Sequence, residues 1–276
     1  MKIIVSHDVD HISTYEHMSD LVVPKYIGRA GVELLKCRIG PGQFATRMGE
    51  MLFGKWNFIK ELAAFDAQVG IKSTFFFAVG NGMGLAYQPE AAREMLHEVI
   101  AAGHDVGIHG IARDTVENIR AERLRFEAVY GVPCRGQRMH YLHPDPALLN
   151  AVAAAGFSYD SSLRGNGPAW KRAGLWSFPV HLMDGDVMLG GRRYQNVSVR
   201  EAIDSTRCRI EALADSGVDY MSLLFHDRYF SAGHMAWRDW YQEIVSWAIR
   251  EGFGFCNYEQ AVKELEMRSY KTELAS

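Results

Sequence analysis

The sequence predicts an α/β fold in which a parallel sheet is covered by helices, and three features carry that expectation. Short runs rich in Val, Ile, Phe and Tyr alternate with longer stretches of helical periodicity. The strand candidates are apolar enough to be covered rather than exposed. Glycine closely follows six of the helical stretches (Gly70, Gly103, Gly131, Gly156, Gly217 and Gly252), as helix C-termini prefer. Such an alternation builds either an open sheet or a closed barrel.

In chain order, Ile3-Ile4-Val5 marks a first strand over Lys2–Ser6. A helix over Trp56–Val69 stops at Gly70, and Phe75-Phe76-Phe77 marks a strand over Lys72–Phe77. The helix Glu90–Ala102 ends at Gly103 and leads into a strand over His104–Ile108. Thr115–Tyr130 (helix), Pro133–Arg138 (strand), Pro146–Ala155 (helix) and Phe157–Asp160 (strand) continue the pattern. Further strands are expected over Trp176–Val180, Tyr220–Phe225 and Phe253–Asn257, and further helices over Val199–Ser216, Trp237–Glu251 and Glu259–Met267.

With 276 residues, 48% of them apolar, the chain can bury a full core. Nothing marks a boundary, so one domain over residues 1–276 is expected, with a long insert at about 11–55. That insert and residues 163–196 interrupt the alternation; long loops of this kind are binding walls, lids or packing subdomains. Lys25, Arg29, Lys36 and Arg38 lie among apolar residues of the insert, which would suit a membrane surface, but no clean amphipathic stripe accompanies them. A net charge of −3 supplies no basic field for nucleic acid or anionic lipid. The four cysteines are far apart and form no C-x-x-C pair, which excludes a disulfide scaffold and a cysteine-based zinc module. No apolar run is long enough to span a bilayer, and Met1–Asp8 reads as a strand rather than a leader, so a cytoplasmic protein is expected.

The unusual polar residues gather where strands end. Asp8 and Asp10 follow the first strand, His109 the third, Arg138 and His140 the fourth, and His226-Asp227 the strand over Tyr220–Phe225. In a parallel α/β fold those ends share one face, so distant residues converge there. Carboxylates and imidazoles together suit a divalent ion such as zinc. Asp8 and Asp10 are two apart and point to the same side of an extended chain, where they repel unless a cation or proton lies between them. One can ligate a metal while the other serves as a base toward water. His104 starts its strand, roughly 16 Å from His109 along extended chain, and is read as structural. Arg138 could hold one Asp ionised through paired hydrogen bonds, and His140 could bind metal or substrate. His226 beside two carboxylates is a candidate general acid. Asp184 and Asp186 are read as a surface turn, with a contact to sugar or to His226 as the alternative. Trp170, Trp176, Tyr229 and Phe230 are core aromatics or sugar-stacking residues.

At these positions the chain resembles the polysaccharide deacetylases with a NodB-homology domain (carbohydrate esterase family 4, CE4). Ser6-His7-Asp8-Val9-Asp10 resembles the first motif of that family, in an Asp-x-Asp form. Ser73–Phe77 is similar to its second strand, Gly103–His109 to its "G-H-E-I-G-x-H" motif, Gly136-Gln137-Arg138 to the start of its third, and Leu223–Asp227 to "L-x-x-H-D". The resemblance implies a distorted (β/α)7 barrel. It also implies roles: Asp8 as general base, Asp10 and His109 as metal ligands, Arg138 as partner of the base, and His226 as the acid protonating the leaving amine. The family's further metal histidine would fall at position 113, which is Arg113 here. His140 is the expected substitute ligand, with Asp114 and His143 as alternatives. The altered pattern resembles deacetylase-like proteins of bacterial O-antigen and capsule synthesis. The expected activity is therefore removal of an N-acyl group, N-acetyl above all, from an amino sugar of a nucleotide-linked or lipid-linked precursor, with zinc as cofactor. A glycan-binding relative without turnover, and another amide hydrolase such as a deformylase or ureide hydrolase, are the alternatives.

Overall fold

The computed structural model describes residues 1–142 and 146–275. The first strand, β1 (Lys2–Val9), is followed by the insert, which folds as a helical hairpin of α1 (Val22–Leu35) and α2 (Pro41–Leu52). Then come α3 (Ile59–Gln68), β2 (Thr74–Phe77), α4 (Pro89–Ala101), β3 (Asp105–Gly110), α5 (Val116–Tyr130), β4 (Gly136–Met139), α6 (Pro146–Ala154) and β5 (Tyr159–Asp160). The second half holds β6 (Trp170–Arg172), β7 (Leu175–Ser177), β8 (Val180–Met183), α7 (Asp184–Leu189), α8 (Val199–Asp215), β9 (Tyr220–Leu224), α9 (Met235–Arg250), β10 (Gly254–Phe255) and α10 (Tyr258–Ala275).

The sheet order is β6-β7-β5-β4-β3-β2-β1-β9-β8, with β10 added beside the start of β1. Leu175–Met183 closes it into a distorted barrel. Its first half pairs in parallel with β5 (Tyr159↔Trp176), its second half in parallel with β9 (Val180↔Ser222). Pro179 lies between the halves; having no N–H to give the ladder, it breaks one expected strand into two. The Val180 N–H donates to the Leu163 carbonyl at 2.7 Å, which seals the remaining seam.

Strand alternation gives the barrel two distinct faces. Ile3, Val5, Val9, Phe75, Phe77, Val106 and Ile108 point outward and form the large core beneath the helices. Ile4, Phe76, Tyr159, Phe178 and Tyr258 form a smaller core inside the ring. The interior is tight enough to demand glycine twice: a Cβ on Gly107 would meet the Phe76 ring at 2.7 Å, and one on Gly136 would meet the Tyr159 ring at 1.9 Å. Ser6, Asp8 and Arg138 are buried and share the inner-face parity of Ile4 and Phe76. His7 takes the outer face, where Nδ1 bonds the Phe225 carbonyl and Nε2 bonds Asp66, both at 2.9 Å.

The expected elements are present with shifted ends. β1 and β3 run further than expected, so Asp8 and His109 lie on strands rather than after them. The helices α1, α2 and α7 fall within the two stretches where the sequence pattern was irregular. His104 is structural: its Nδ1 accepts from the Ser73 N–H and its Nε2 bonds the Ala63 carbonyl.

Asp105 supplies a stability test. Burial, reinforced by Glu259, pushes its carboxyl up to about 7. A carboxyl whose folded pKa is raised from 3.8 contributes most at acid pH, and that contribution fades as pH rises from about 4 through 7. Asp105→Asn cannot ionise. Thermal unfolding should show near parity with wild type at pH 4.5 and a Tm gain of roughly 2 °C or more at pH 8.

Candidate active site

Six polar side chains meet at the C-terminal mouth of the barrel. Asp8 comes from β1 and Asp10 from the residue after it; His109 is the last residue but one of β3, and Arg138 and His140 come from β4 and the residue beyond it. His226 follows β9. Parallel strands deliver all of these to the same rim.

Arg138 is fully buried and has an acceptor for every part of its guanidinium. Nη1 donates to Asp8 Oδ1 at 2.8 Å; Nε donates to the Ser161 carbonyl; Nη2 donates to Ser6 Oγ, Ser161 Oγ and the Tyr258 hydroxyl. The guanidinium also lies over the Phe76 ring, 4.4 Å from its centroid. One nitrogen reaches Asp8, rather than the expected pair. Burial alone would raise the Asp8 carboxyl, but Arg138, His109 and His226 outweigh it and hold Asp8 below the ordinary value.

Asp10, His109 and His140 form a second group, with ligand atoms all within 4.8 Å of one another. His109 Nε2 is 3.2 Å and His140 Nδ1 is 3.5 Å from Asp10 Oδ1. Backbone carbonyls choose the tautomers. His109 Nδ1 bonds the Arg138 carbonyl at 3.1 Å and His140 Nε2 bonds the Met83 carbonyl at 3.1 Å. Those ring nitrogens donate, so His109 Nε2 and His140 Nδ1 face each other 2.9 Å apart and present lone pairs when the rings are neutral; Asp8 and Asp10 outweigh burial and raise the His109 pKa, which favours a proton at this point when no cation is there. Asp10 Oδ1 is buried beside them without a hydrogen-bond partner. Two imidazole nitrogens and an unsatisfied carboxylate oxygen repel unless a proton or a cation lies between them, and the three ligand atoms fit a divalent ion of the zinc type. Burial opposes ionisation of Asp10, yet His109, His226 and His140 keep it well below the usual carboxylate range.

His226 is the third group. Burial would lower its pKa, but Asp184 outweighs that and raises it to about 10. Asp184 accepts from the His226 backbone N–H at 2.7 Å and contacts Nδ1 at 3.0 Å, while His226 Nε2 faces Asp10 Oδ2 at 3.7 Å. Asp184 therefore does not belong to a surface turn: it is fully buried and holds His226. Asp186 is the surface residue, paired with Arg164.

The remaining expectations sort by position. Asp114 is exposed and accepts from Asn118 Nδ2, away from the cluster; His143 lies outside the described residues. Arg113 contacts the Met83 sulfur rather than Asp10. Trp176, Tyr229 and Phe230 are buried, and Trp170 is half-buried. The exposed aromatic at the mouth is Tyr141, whose hydroxyl donates to the Met83 carbonyl at 2.8 Å. Tyr141 and Leu142 both adopt left-handed backbone (φ 63° and 48°), an unusual pair for non-glycine residues and a mark of local strain. Met83 and its carbonyl had no recognisable signal in the sequence, because a backbone acceptor carries none.

No family model matches the sequence, and no curated protein matches it. Solved structures do match in shape. A Mycobacterium smegmatis protein described as a polysaccharide deacetylase superposes with a TM-score of 0.66 at 19% identity, covering 97% of this chain and 91% of that one. The fold is that of the CE4 deacetylases. Puue allantoinase shares it, with a TM-score of 0.63 at 12% identity over 95% of this chain and 88% of its own. The peptidoglycan deacetylase PdaC from Bacillus subtilis gives 0.50 at 12% identity, over 99% and 95%. The CE4 fold agrees with the motif resemblance in the sequence.

Metal titration tests the cluster directly. Calorimetry of the purified chain with zinc should show near one-to-one binding, weakened at least 100-fold by Asp10→Ala, His109→Ala or His140→Ala. Asp114→Ala should leave it unchanged.

Proposed function

We propose that the chain is a metal-dependent hydrolase that removes an N-acyl group, chiefly N-acetyl, from an amino sugar of a cell-surface polysaccharide precursor of the O-antigen kind. One observation carries this reading: carbonyl-fixed lone pairs on His109 and His140 converge with an unsatisfied Asp10 oxygen beside an Arg-held carboxylate and an Asp-held imidazole. Asp10, His109 and His140 would hold the ion, and the N and O ligand set favours zinc. When bound, such an ion polarises an amide carbonyl and makes water easier to deprotonate.

The chain's own residues divide the rest of the work. Asp8, kept ionised and fixed in place by Arg138, takes a proton from the attacking water. Among the described residues the Tyr141 N–H has no acceptor, so it is available to the oxygen that gains charge as the carbonyl carbon becomes tetrahedral. His226, protonated through Asp184, gives its proton to the nitrogen as the C–N bond breaks. The products are a carboxylic acid and a free amine. Tyr141 offers an exposed ring at the mouth for a sugar face.

A second reading, another amide hydrolase such as a deformylase or a ureide hydrolase on the same scaffold, is favoured by the likeness to Puue allantoinase. Product analysis separates the two. Incubation of the zinc-loaded chain with N-acetylated amino sugars, as nucleotide-linked and lipid-linked forms, should release acetate; formate or ammonia instead would move the assignment. Asp8→Asn should lower kcat at least 1,000-fold, and His226→Asn by about 100- to 10,000-fold. Full metal binding with no turnover of any amide would identify a glycan-binding relative.

A further inference from the structure

Two arginines near the barrel mouth are treated differently. Arg138 is bonded through Nε, Nη1 and Nη2 and is paired with Asp8. Arg228, two residues after His226, is half-buried and has no carboxylate within ion-pair distance among the described residues. Its Nη1 donates to His11 Nε2 at 3.1 Å, its Nη2 donates to the Tyr229 hydroxyl at 2.6 Å, and its guanidinium lies 4.7 Å from the Tyr229 ring centroid. Nε is buried without a hydrogen-bond partner. Each Nη also carries a second N–H that meets no acceptor among the described residues.

The surroundings do not cancel this charge. A guanidinium only donates, so His11 Nε2 accepts and the ring is neutral. Its Nδ1 then donates to His17 Nε2 at 2.8 Å, and His17 Nδ1 donates to Asp20 at 2.7 Å, a relay that fixes Arg228 in place. Asp227 is buried and accepts from the Phe58 N–H, and burial pushes its carboxyl up to about 7. Arg29, which also donates to the Tyr229 hydroxyl, shares Glu33 with Arg47. Asp10 acts on Arg228, but its Oδ1 faces His109 and His140, and in the proposed site it is committed to the ion.

His11 follows Asp10 in the chain, so its bond to Arg228 seats the cation beside the metal cluster. An uncompensated guanidinium with open N–H groups at that place suits an anion carried by the substrate. In a 2-acylamino sugar the anomeric carbon is the neighbour of the carbon bearing the amide, and in nucleotide-linked and lipid-linked sugars it bears phosphate. A uronate carboxylate stands across the ring from that amide. We propose that Arg228 binds the anomeric phosphate of the substrate, so that the site selects glycosyl phosphates over neutral glycan. The seat of the amide rests on the hydrolase reading; the role of Arg228 is recognition, not the chemical step.

Calorimetry with the zinc-loaded Asp8→Asn chain reads recognition without turnover. N-acetylglucosamine 1-phosphate should bind roughly tenfold or more tightly than N-acetylglucosamine. Arg228→Gln should remove that preference, and Arg228→Lys, which keeps the charge but not the fork, should restore part of it. In crystals of the Asp8→Asn chain soaked with the 1-phosphate, a phosphate oxygen should lie about 2.7–2.9 Å from an Arg228 nitrogen. UDP-N-acetylglucosamine and a farnesyl diphosphate of N-acetylglucosamine distinguish the carriers: the tighter binder names the carrier, and it should weaken in Arg228→Gln. Phosphate held by the ion alone would leave the preference intact in Arg228→Gln and overturn the proposal. Equal affinity for the two sugars, or binding of neither, also overturns it. So does tighter binding of 2-acetamido-2-deoxyglucuronate that Arg228→Gln abolishes, because the anion would then be a carboxylate. Acetate release by the wild-type chain is scored separately: release at equal kcat/KM from both sugars keeps the hydrolase and removes this role, while phosphate preference without release does the reverse.

Discussion

The guanidinium of Arg138 is the constraint on which the inside of the barrel depends. A cation with no solvent exposure survives only if its donors are met, and here Ser6, Asp8, Ser161 and Tyr258 meet them from β1, the turn after β5, and the start of α10. The same bonds that make the charge tolerable pull these elements together and aim Asp8 at the mouth. Stripping one partner from a buried pair of this kind costs about 3–5 kcal/mol. The tie between these elements and the orientation of Asp8 therefore share one side chain.

Two carboxylates two residues apart would ordinarily share a proton. Separate partners prevent this. Asp8 faces a permanent cation, while Asp10 faces three imidazoles whose other nitrogens are committed to the Arg138 carbonyl, the Met83 carbonyl and Asp184. The outcome is a graded site with a fixed carboxylate, a set of convergent ring nitrogens and a protonated imidazole, each fixed by a partner one step further from the mouth. Asp184 is to His226 what Arg138 is to Asp8. Both partners are fully buried, which keeps water from weakening either interaction.

Much of this was legible in the sequence, for physical reasons that also explain the gaps. Apolar runs broken by glycine betray parallel strands and helices, and polar residues at strand ends betray a mouth; hence the convergence of Asp8, Asp10, His109, Arg138, His140 and His226 on one rim is readable in the sequence. The placement of His140, rather than Asp114, beside Asp10 and His109 is readable because His140 repeats the two-residue spacing from Arg138, while Asp114 falls past the strand. Asp184 was undervalued because Asp-Gly-Asp reads as a turn, and only the closure of the barrel through Leu175–Met183 brings it beneath His226. The hairpin of the insert escaped because its helices face two ways: Glu33 and Arg47 are buried where a core residue is expected, and Leu35 and Phe53 are exposed where a polar one is. Amphipathic pattern reading assumes the opposite.

The central claim is that lone pairs from His109 and His140 meet an Asp10 oxygen at one point. Anomalous scattering from crystals grown with zinc, recorded on either side of the zinc absorption edge, tests it most directly. The account predicts one dominant peak about 2.0–2.2 Å from Asp10 Oδ1, His109 Nε2 and His140 Nδ1, with Asp8 still bound to Arg138. A peak elsewhere, or one that draws Asp8 into the ligand set while Asp10 turns away, would contradict it.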